Sequence, residues 1–180
     1  MFLAAEGVPP LGTMVLVLIA GSLAAGGANA INHQMDRDID EIMGRTRNRP
    51  VAGHRISPSK ALIFGIFLNV LSFGIFLIWG HLLAGLLTMI ATLFYVFVYT
   101  KWLKRTSPQN IVIGGAAGAI PPLAGWAAIT GGLDLPAVYL FAIIFFWTPP
   151  HFWALALLIK RDYAEAGIPM LPVITTVGHT

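Results

Sequence analysis

Long runs of apolar residues alternate along the chain with short polar connections. The run VLVLIAGSLAAGGANAI at 15–31 belongs to a first stretch near Leu11–Ile31, and Ala61–Trp79, Leu82–Tyr99, Asn110–Ile129 and Leu135–Ile159 come after it. Each meets the length of about 17–25 mainly apolar residues that a helix needs to cross the hydrocarbon layer of a bilayer. The pattern predicts an all-α, polytopic transmembrane bundle of five spans, forming one membrane-embedded domain over 1–180.

Composition agrees: 57% of the residues are hydrophobic and 11% charged, against the roughly 25% charged residues of soluble domains. Mean hydropathy is +0.77. There is no cysteine and hence no disulfide framework. The N-terminus lacks a basic region followed by a cleavage site, so the first apolar run reads as a retained helix rather than a secretory signal.

Charge adds an orientation. Of the 11 Lys and Arg residues, six lie between Arg37 and Lys60, three between Lys101 and Arg105, and two at Lys160 and Arg161. The connections at Gly80-His81 and Thr130–Asp134 have none. Five spans joined by alternating basic and non-basic loops put every basic loop on one face, which the positive-inside rule makes cytoplasmic. The net charge of +3 is thus a topological signal and gives no support to nucleic-acid binding.

Candidate chemistry begins in NHQMDRDID, 32–40, where the first apolar run ends. On a helix, Asn32, Asp36 and Asp40 at spacing i, i+4, i+8 cover an arc of roughly 80° over about 12 Å. Asp38 lies about 200° around from Asp36 and is expected to face Arg37, Arg45 or water. An amide and two carboxylates in one stripe suit Mg²⁺, which takes oxygen ligands and commonly combines one or two carboxylates with substrate phosphates. Acids at a helix end near the headgroups are often only a solvated cap. The basic residues just after them favour a site: Arg45, Arg47, Arg49 and Arg55 lie within 41–55 without a single Lys, and Arg is suited to bidentate phosphate recognition. Lys101, Lys104 and Arg105 end a later span, and Lys160, Arg161, Asp162 and Glu165 lie just beyond the last. Metal and diphosphate are expected at one mouth of the bundle, with an apolar tail in the membrane.

The runs Asn32-x-x-x-Asp36-x-x-x-Asp40 and Arg45-Thr46-x-Asn48-Arg49-Pro50 resemble the first aspartate-rich motif of the UbiA-type intramembrane prenyltransferases. YTKWLKRTSPQNIVIGGAAGAIPPLAGWAA (99–128), TPPHFWALAL (148–157) and DYAEAGIPMLPV (162–173) are similar to the heme-modifying branch of that family. The resemblance implies a nine-helix fold around a central cavity, of which this chain would be a fragment incomplete at both ends. It also implies farnesyl diphosphate and heme b as substrates, Mg²⁺ as cofactor, and coupling to heme A synthesis and terminal oxidase assembly in a bacterial inner membrane. Asp36, Asp40 and Asp162 would be catalytic, and Asn32 would join them as a metal ligand. Arg45, Arg49, Lys104 and Arg105 would hold diphosphate, with His151 and His54 as candidates for heme contact or proton transfer.

Two positions depart from the family pattern. Quinone-type members carry Asp after the first Asn, whereas this chain has His33, which argues against a hydroxybenzoate acceptor. The second motif would need Asp at 166, where Ala166 stands, leaving Asp162 with Glu165 nearby.

Gly114 and Gly118 form a G-x-x-x-G pair expected to pack helices closely, and Trp79, Trp102 and Trp126 are expected in the interfacial belts. A different aromatic acceptor and a non-catalytic heme-binding membrane subunit are the rival functions. A CDP-alcohol phosphotransferase would need Asp-Gly followed by Ala-Arg, and neither dipeptide occurs. A transporter would place ionisable groups near mid-membrane, but the acids other than Glu6 and Asp134 gather at one face.

Overall fold

A computed structural model describes residues 1–175, and among these every regular element is helical. Five helices are long and apolar enough to span a membrane: α1 (Leu11–Met35), α3 (Pro58–Trp79), α4 (Leu82–Thr106), α5 (Asn110–Thr130) and α6 (Leu135–Leu158). Three short helices lie at the basic end: α2 (Arg37–Ile42) after α1, then α7 (Lys160–Glu165) and α8 (Leu171–Ile174) after α6. The protein is an integral membrane protein built as a polytopic helical bundle.

The spans match the hydropathy pattern closely, with one informative difference. The third was expected to end at Tyr99 but continues to Thr106, because Phe94–Leu103 winds as a π-helix and carries the chain into the basic loop. Apolarity stops marking a span where its last turn holds cations. Helix α3 starts as its sequence requires, with the Ser57 hydroxyl accepting from the Lys60 amide at 3.4 Å and Pro58 in the first turn. In α5, Ile120 joins the segments Asn110–Ala119 and Pro121–Thr130, and in α6 the helix runs through Pro149 and Pro150.

Helix α1 packs most extensively on α3. At their crossing a Cβ on Gly27 would stand 2.7 Å from the Gly65 carbonyl oxygen, and one on Gly65 would stand 2.6 Å from Ile31 Cγ1. Only hydrogen at both positions lets the two backbones approach, as small residues do at membrane helix interfaces. Polar side chains tie the spans in the same region: the Ser72 hydroxyl donates to the Ala20 carbonyl at 2.7 Å, and Thr92 donates to Asn69 Oδ1 at 3.0 Å.

The expected G-x-x-x-G contact is corrected in its detail. A Cβ on Gly114 would overlap the Tyr99 ring and one on Gly115 would stand 2.9 Å from Thr148, but Gly118 has nothing within 4 Å. The close-packing pair is therefore consecutive, one glycine admitting α4 and the other α6. Trp126 also departs from expectation: it is buried and its indole N–H donates to Asp134 at 3.0 Å, so it closes a loop rather than lying in a belt. Trp79 and Trp102 are exposed, as belt residues should be.

Two buried clusters hold the ends of the bundle. One joins Ala20, Phe76, Ala84, Ala127 and Ala128 at the non-basic end, where His81 stands beside Gly131. The other joins Ile39, Met43, Ile111, Ala156, Ile168 and Met170, with Tyr99, Trp153 and Tyr163 packed against it. It anchors α2, α5, α6 and the terminal turns around the acidic motif.

Candidate functional site

The acidic motif folds as a stripe. Helix α1 ends at Met35 and α2 starts at Arg37, with Asp36 between them at φ −97° and ψ 9°. The Asp36 amide nevertheless donates to the Asn32 carbonyl at 2.8 Å, and the Asp40 amide to the Asp36 carbonyl at 2.7 Å. Helical register thus survives the kink. Asn32, Asp36 and Asp40 are 3%, 0% and 1% exposed, whereas Arg37 and Asp38 face outward.

Each acid has a cation of its own. Lys104, from the last turn of α4, donates to Asp36 Oδ2. Arg49 donates through one guanidinium nitrogen to both oxygens of Asp40, at 3.0 and 2.9 Å. Arg105 forms a fork on Asp38, with Nη1 and Nη2 each 2.7 Å from an oxygen. Asp38 thus faces water, as one of the expected alternatives had it, and its cation is Arg105 rather than Arg37 or Arg45, because the helical extension of α4 brings its basic end across to α1. The Arg105 hydrogen bonds hold the Asp38 carboxyl down at about 2. Arg105 Nη2 also donates to the Met35 carbonyl at 2.8 Å at the kink, and lies 3.5 Å from Asp36 Oδ1.

The loop between α2 and α3 returns Arg49 to Asp40 through successive turns. Arg49 N–H donates to the Thr46 carbonyl at 2.9 Å, and Gly53 N–H to the Arg49 carbonyl at 2.7 Å. Buried Met43, Val51 and Ala52 pin the loop, and the Thr46 hydroxyl donates to the Asp40 carbonyl at 3.3 Å. Thr46, named in the motif, and the fully buried Thr100, to which Asn32 Nδ2 donates at 3.2 Å, were given no role from the sequence. Their signal was weak: one sits inside a basic run and the other inside an aromatic one.

Asp162 comes to the same end of the bundle but not onto the stripe. Its Oδ2 lies 3.6 Å from where a Cβ on Gly44 would stand, and among the described residues its carboxylate makes no ion pair. Burial pushes the phenol of its neighbour Tyr163 up, while the nearby charge of Arg45 opposes the shift. The two motifs therefore meet through their loops. Neither His54 nor His151 contacts the aspartate stripe among the described residues: His54 is exposed at φ 55°, with Nε2 3.7 Å from Glu41 Oε1. His151 is half-buried in α6 and stacks on Trp147 with ring centroids 4.1 Å apart.

The donor set suits a hard divalent cation. Asn32 Nδ2 donates to Asp36 Oδ2 at 2.8 Å as well as to Thr100, and no donor reaches Asn32 Oδ1 among the described residues. Asp36 Oδ1 is buried without a hydrogen bond. Among the described residues Asp36 Oδ1 is thus a buried atom of a class that is normally satisfied, with Arg105 Nη2 at 3.5 Å, and Asn32 Oδ1 on the same stripe accepts no hydrogen bond. Among the described residues no three acidic or histidine side chains converge on one point, so a bound Mg²⁺ would complete its shell with water and phosphate oxygens. Asn110 is also fully buried, with neither polar atom of its amide partnered among the described residues.

Fold and site together define a helical membrane protein with acids buried under a ring of cations at one end of the bundle. The chain belongs to the UbiA prenyltransferase family, whose model matches residues 1–180. It is 56% identical over 174 residues to the protoheme IX farnesyltransferase of Symbiobacterium thermophilum, covering 97% of this chain and 58% of that protein. It is 58% identical over 174 residues to the protein of the same name from Trichodesmium erythraeum, covering 97% and 53%. The chain spans little more than half the length of these curated relatives. A solved structure of a UbiA homologue from Archaeoglobus fulgidus, bound to DMAPP and Mg²⁺, superimposes with a TM-score of 0.71 at 20% identity, over 92% of this chain and 58% of that one. That likeness confirms the all-α bundle.

Proposed function

We propose that the protein transfers the farnesyl group of farnesyl diphosphate to a vinyl group of heme b, giving heme O. The observation that carries this reading is the buried Asn32-Asp36-Asp40 stripe ringed by Lys104, Arg49 and Arg105. Relatives at this level of identity bearing the heme farnesyltransferase name support the choice of acceptor over another aromatic compound.

The site's own residues account for binding and ionisation. Asn32, Asp36 and Asp40 would hold Mg²⁺, with Asp162 at the same mouth but beside the Gly44 loop rather than on the stripe. When bound, the ion would draw charge from the departing diphosphate. Lys104 and Arg49, which pair with Asp36 and Asp40, would share their charge with the phosphate oxygens, and Arg45 and Arg105 would extend the clamp. The allylic C–O bond breaks with its electron pair leaving on diphosphate. The vinyl carbon of heme b then bonds to the farnesyl C1, the porphyrin delocalises the positive charge, and water adds with loss of a proton to give the hydroxyethylfarnesyl group. Preorganised cations facing the leaving group stabilise charge that develops only in the transition state, and the membrane keeps water from the farnesyl cation. The mouth faces the cytoplasm of a bacterial inner membrane, as the placement of Lys and Arg argues. The product feeds heme A synthesis and terminal oxidase assembly.

The test is to express the full-length protein in membranes, supply heme b, farnesyl diphosphate and Mg²⁺, and detect heme O by mass spectrometry. Heme O is expected only when all three are present. A prenylated product other than heme O, or none, overturns the assignment.

A further inference from the structure

We propose that Thr100 is a positioning residue that fixes the side-chain amide of Asn32, so that its oxygen, and not its nitrogen, is presented to the cation. The proposal rests on the Mg²⁺ and diphosphate reading above and adds a residue to it. An asparagine amide has two donors on one side and an acceptor on the other, and a half-turn about its last bond exchanges them. A hard cation accepts only the oxygen. Both Nδ2 hydrogens of Asn32 are used within the protein: one goes to Asp36 Oδ2 at 2.8 Å, the other to Thr100 Oγ1 at 3.2 Å. A carboxylate paired with an ammonium can only accept, so the nitrogen must face Asp36. The bond to Thr100 anchors the second hydrogen on another span, leaving Oδ1 as the face of the amide that no donor among the described residues reaches.

Thr100 is itself held. It is fully buried within the π-helical segment of α4. The π-helix over Phe94–Leu103 sets the direction of the Thr100 side chain, because an i→i+5 winding places each residue around the axis differently from an α-helix. π-segments recur at functional sites, and this one turns Thr100 toward Asn32 and Lys104 toward Asp36. Partners that orient a metal ligand typically affect metal affinity about 10–100-fold.

The experiment uses the full-length protein in nanodiscs with Mn²⁺ as the probe, its binding followed by electron paramagnetic resonance without substrate. Thr100→Val keeps the shape and removes the hydroxyl, and should weaken Mn²⁺ binding about 10–100-fold. Thr100→Ser should bind close to the parent. In an Asn32→Ala background, Thr100→Val should cause no further loss, because its effect passes through the amide. Parent-like binding by Thr100→Val, or an equal loss with and without Asn32, overturns the proposal. Thr100→Ala is carried in parallel; if it and Thr100→Val both fail to fold while Thr100→Ser folds, Thr100 is a packing tether and the positioning role is overturned. Asp36→Asn separates the layers: loss of Mn²⁺ binding there with none in Thr100→Val sinks only the positioning role, whereas parent-like binding in Asp36→Asn overturns the cation site and the proposal with it.

Discussion

Three aspartates within five residues have two different fates, and the difference is geometric. Asp36 and Asp40 point into the bundle, whereas Asp38 lies outside with its side chain 59% exposed. Asp36→Asn and Asp40→Asn should each abolish most Mg²⁺-dependent turnover, since an amide keeps the size and one oxygen but loses the charge that holds Mg²⁺ against its hydration shell. Losing a contact worth several kcal/mol at the transition state costs tenfold in rate for each ~1.4 kcal/mol. Asp38→Asn should be mild, because it releases Arg105 from an exposed ion pair, a class of interaction worth about 0–1 kcal/mol. Heme O formation against Mg²⁺ concentration, in full-length variants matched for expression, checks all three; an Asp38→Asn defect as deep as that of Asp36→Asn would place Asp38 in the site. Spacing alone separated these residues at the sequence level. Their partners were not legible, because Lys104 and Arg105 are 68 and 67 residues away from Asp36 and Asp38.

Among the elements, α1 and α3 depend on two glycines that the hydropathy pattern passes over. A methyl at Gly27 or Gly65 meets backbone or a packed side chain below 3 Å, whereas one at Gly74, also in α3, meets nothing within 4 Å. Gly65→Ala should therefore destabilise by about 1–3 kcal/mol, the usual cost of overpacking, and Gly74→Ala should be neutral or slightly stabilising, since Ala is the better helix former. Thermal unfolding in detergent reads both, and equal melting temperatures would contradict the close crossing. The G-x-x-x-G spacing pointed to the right helix and half of the right pair. A spacing rule reports which small residues share one face of one helix, but Gly114 and Gly115 are needed by two neighbours on different sides. The π-helix of α4 was equally invisible, as its apolar residues satisfy a transmembrane span in either winding.

For the whole molecule, the alternation of basic and non-basic loops predicts one basic end, and contacts among Arg49, Lys104, Arg105 and the acids assemble it. A cysteine at Ser59 or Ser107 should be labelled from the cytoplasm only, and one at Gly132 from the opposite side only. Membrane-impermeant maleimide on intact cells and inverted vesicles measures this, and opposite accessibility of Ser59 and Ser107 would break the common mouth. Sequence alone determined the number of spans, the side carrying the cations and the face shared by Asn32, Asp36 and Asp40, because bilayer thickness, loop charge and helical pitch act on residues close along the chain. Tertiary structure decided which cation neutralises which acid, that Asp162 meets the Gly44 loop instead of the stripe, that Trp126 closes a loop, and which way the Asn32 amide points. Those outcomes depend on a kink at Asp36, a π-turn in α4 and glycine-sized gaps between helices, and they are fixed only when distant segments pack, with every buried polar group competing for a partner.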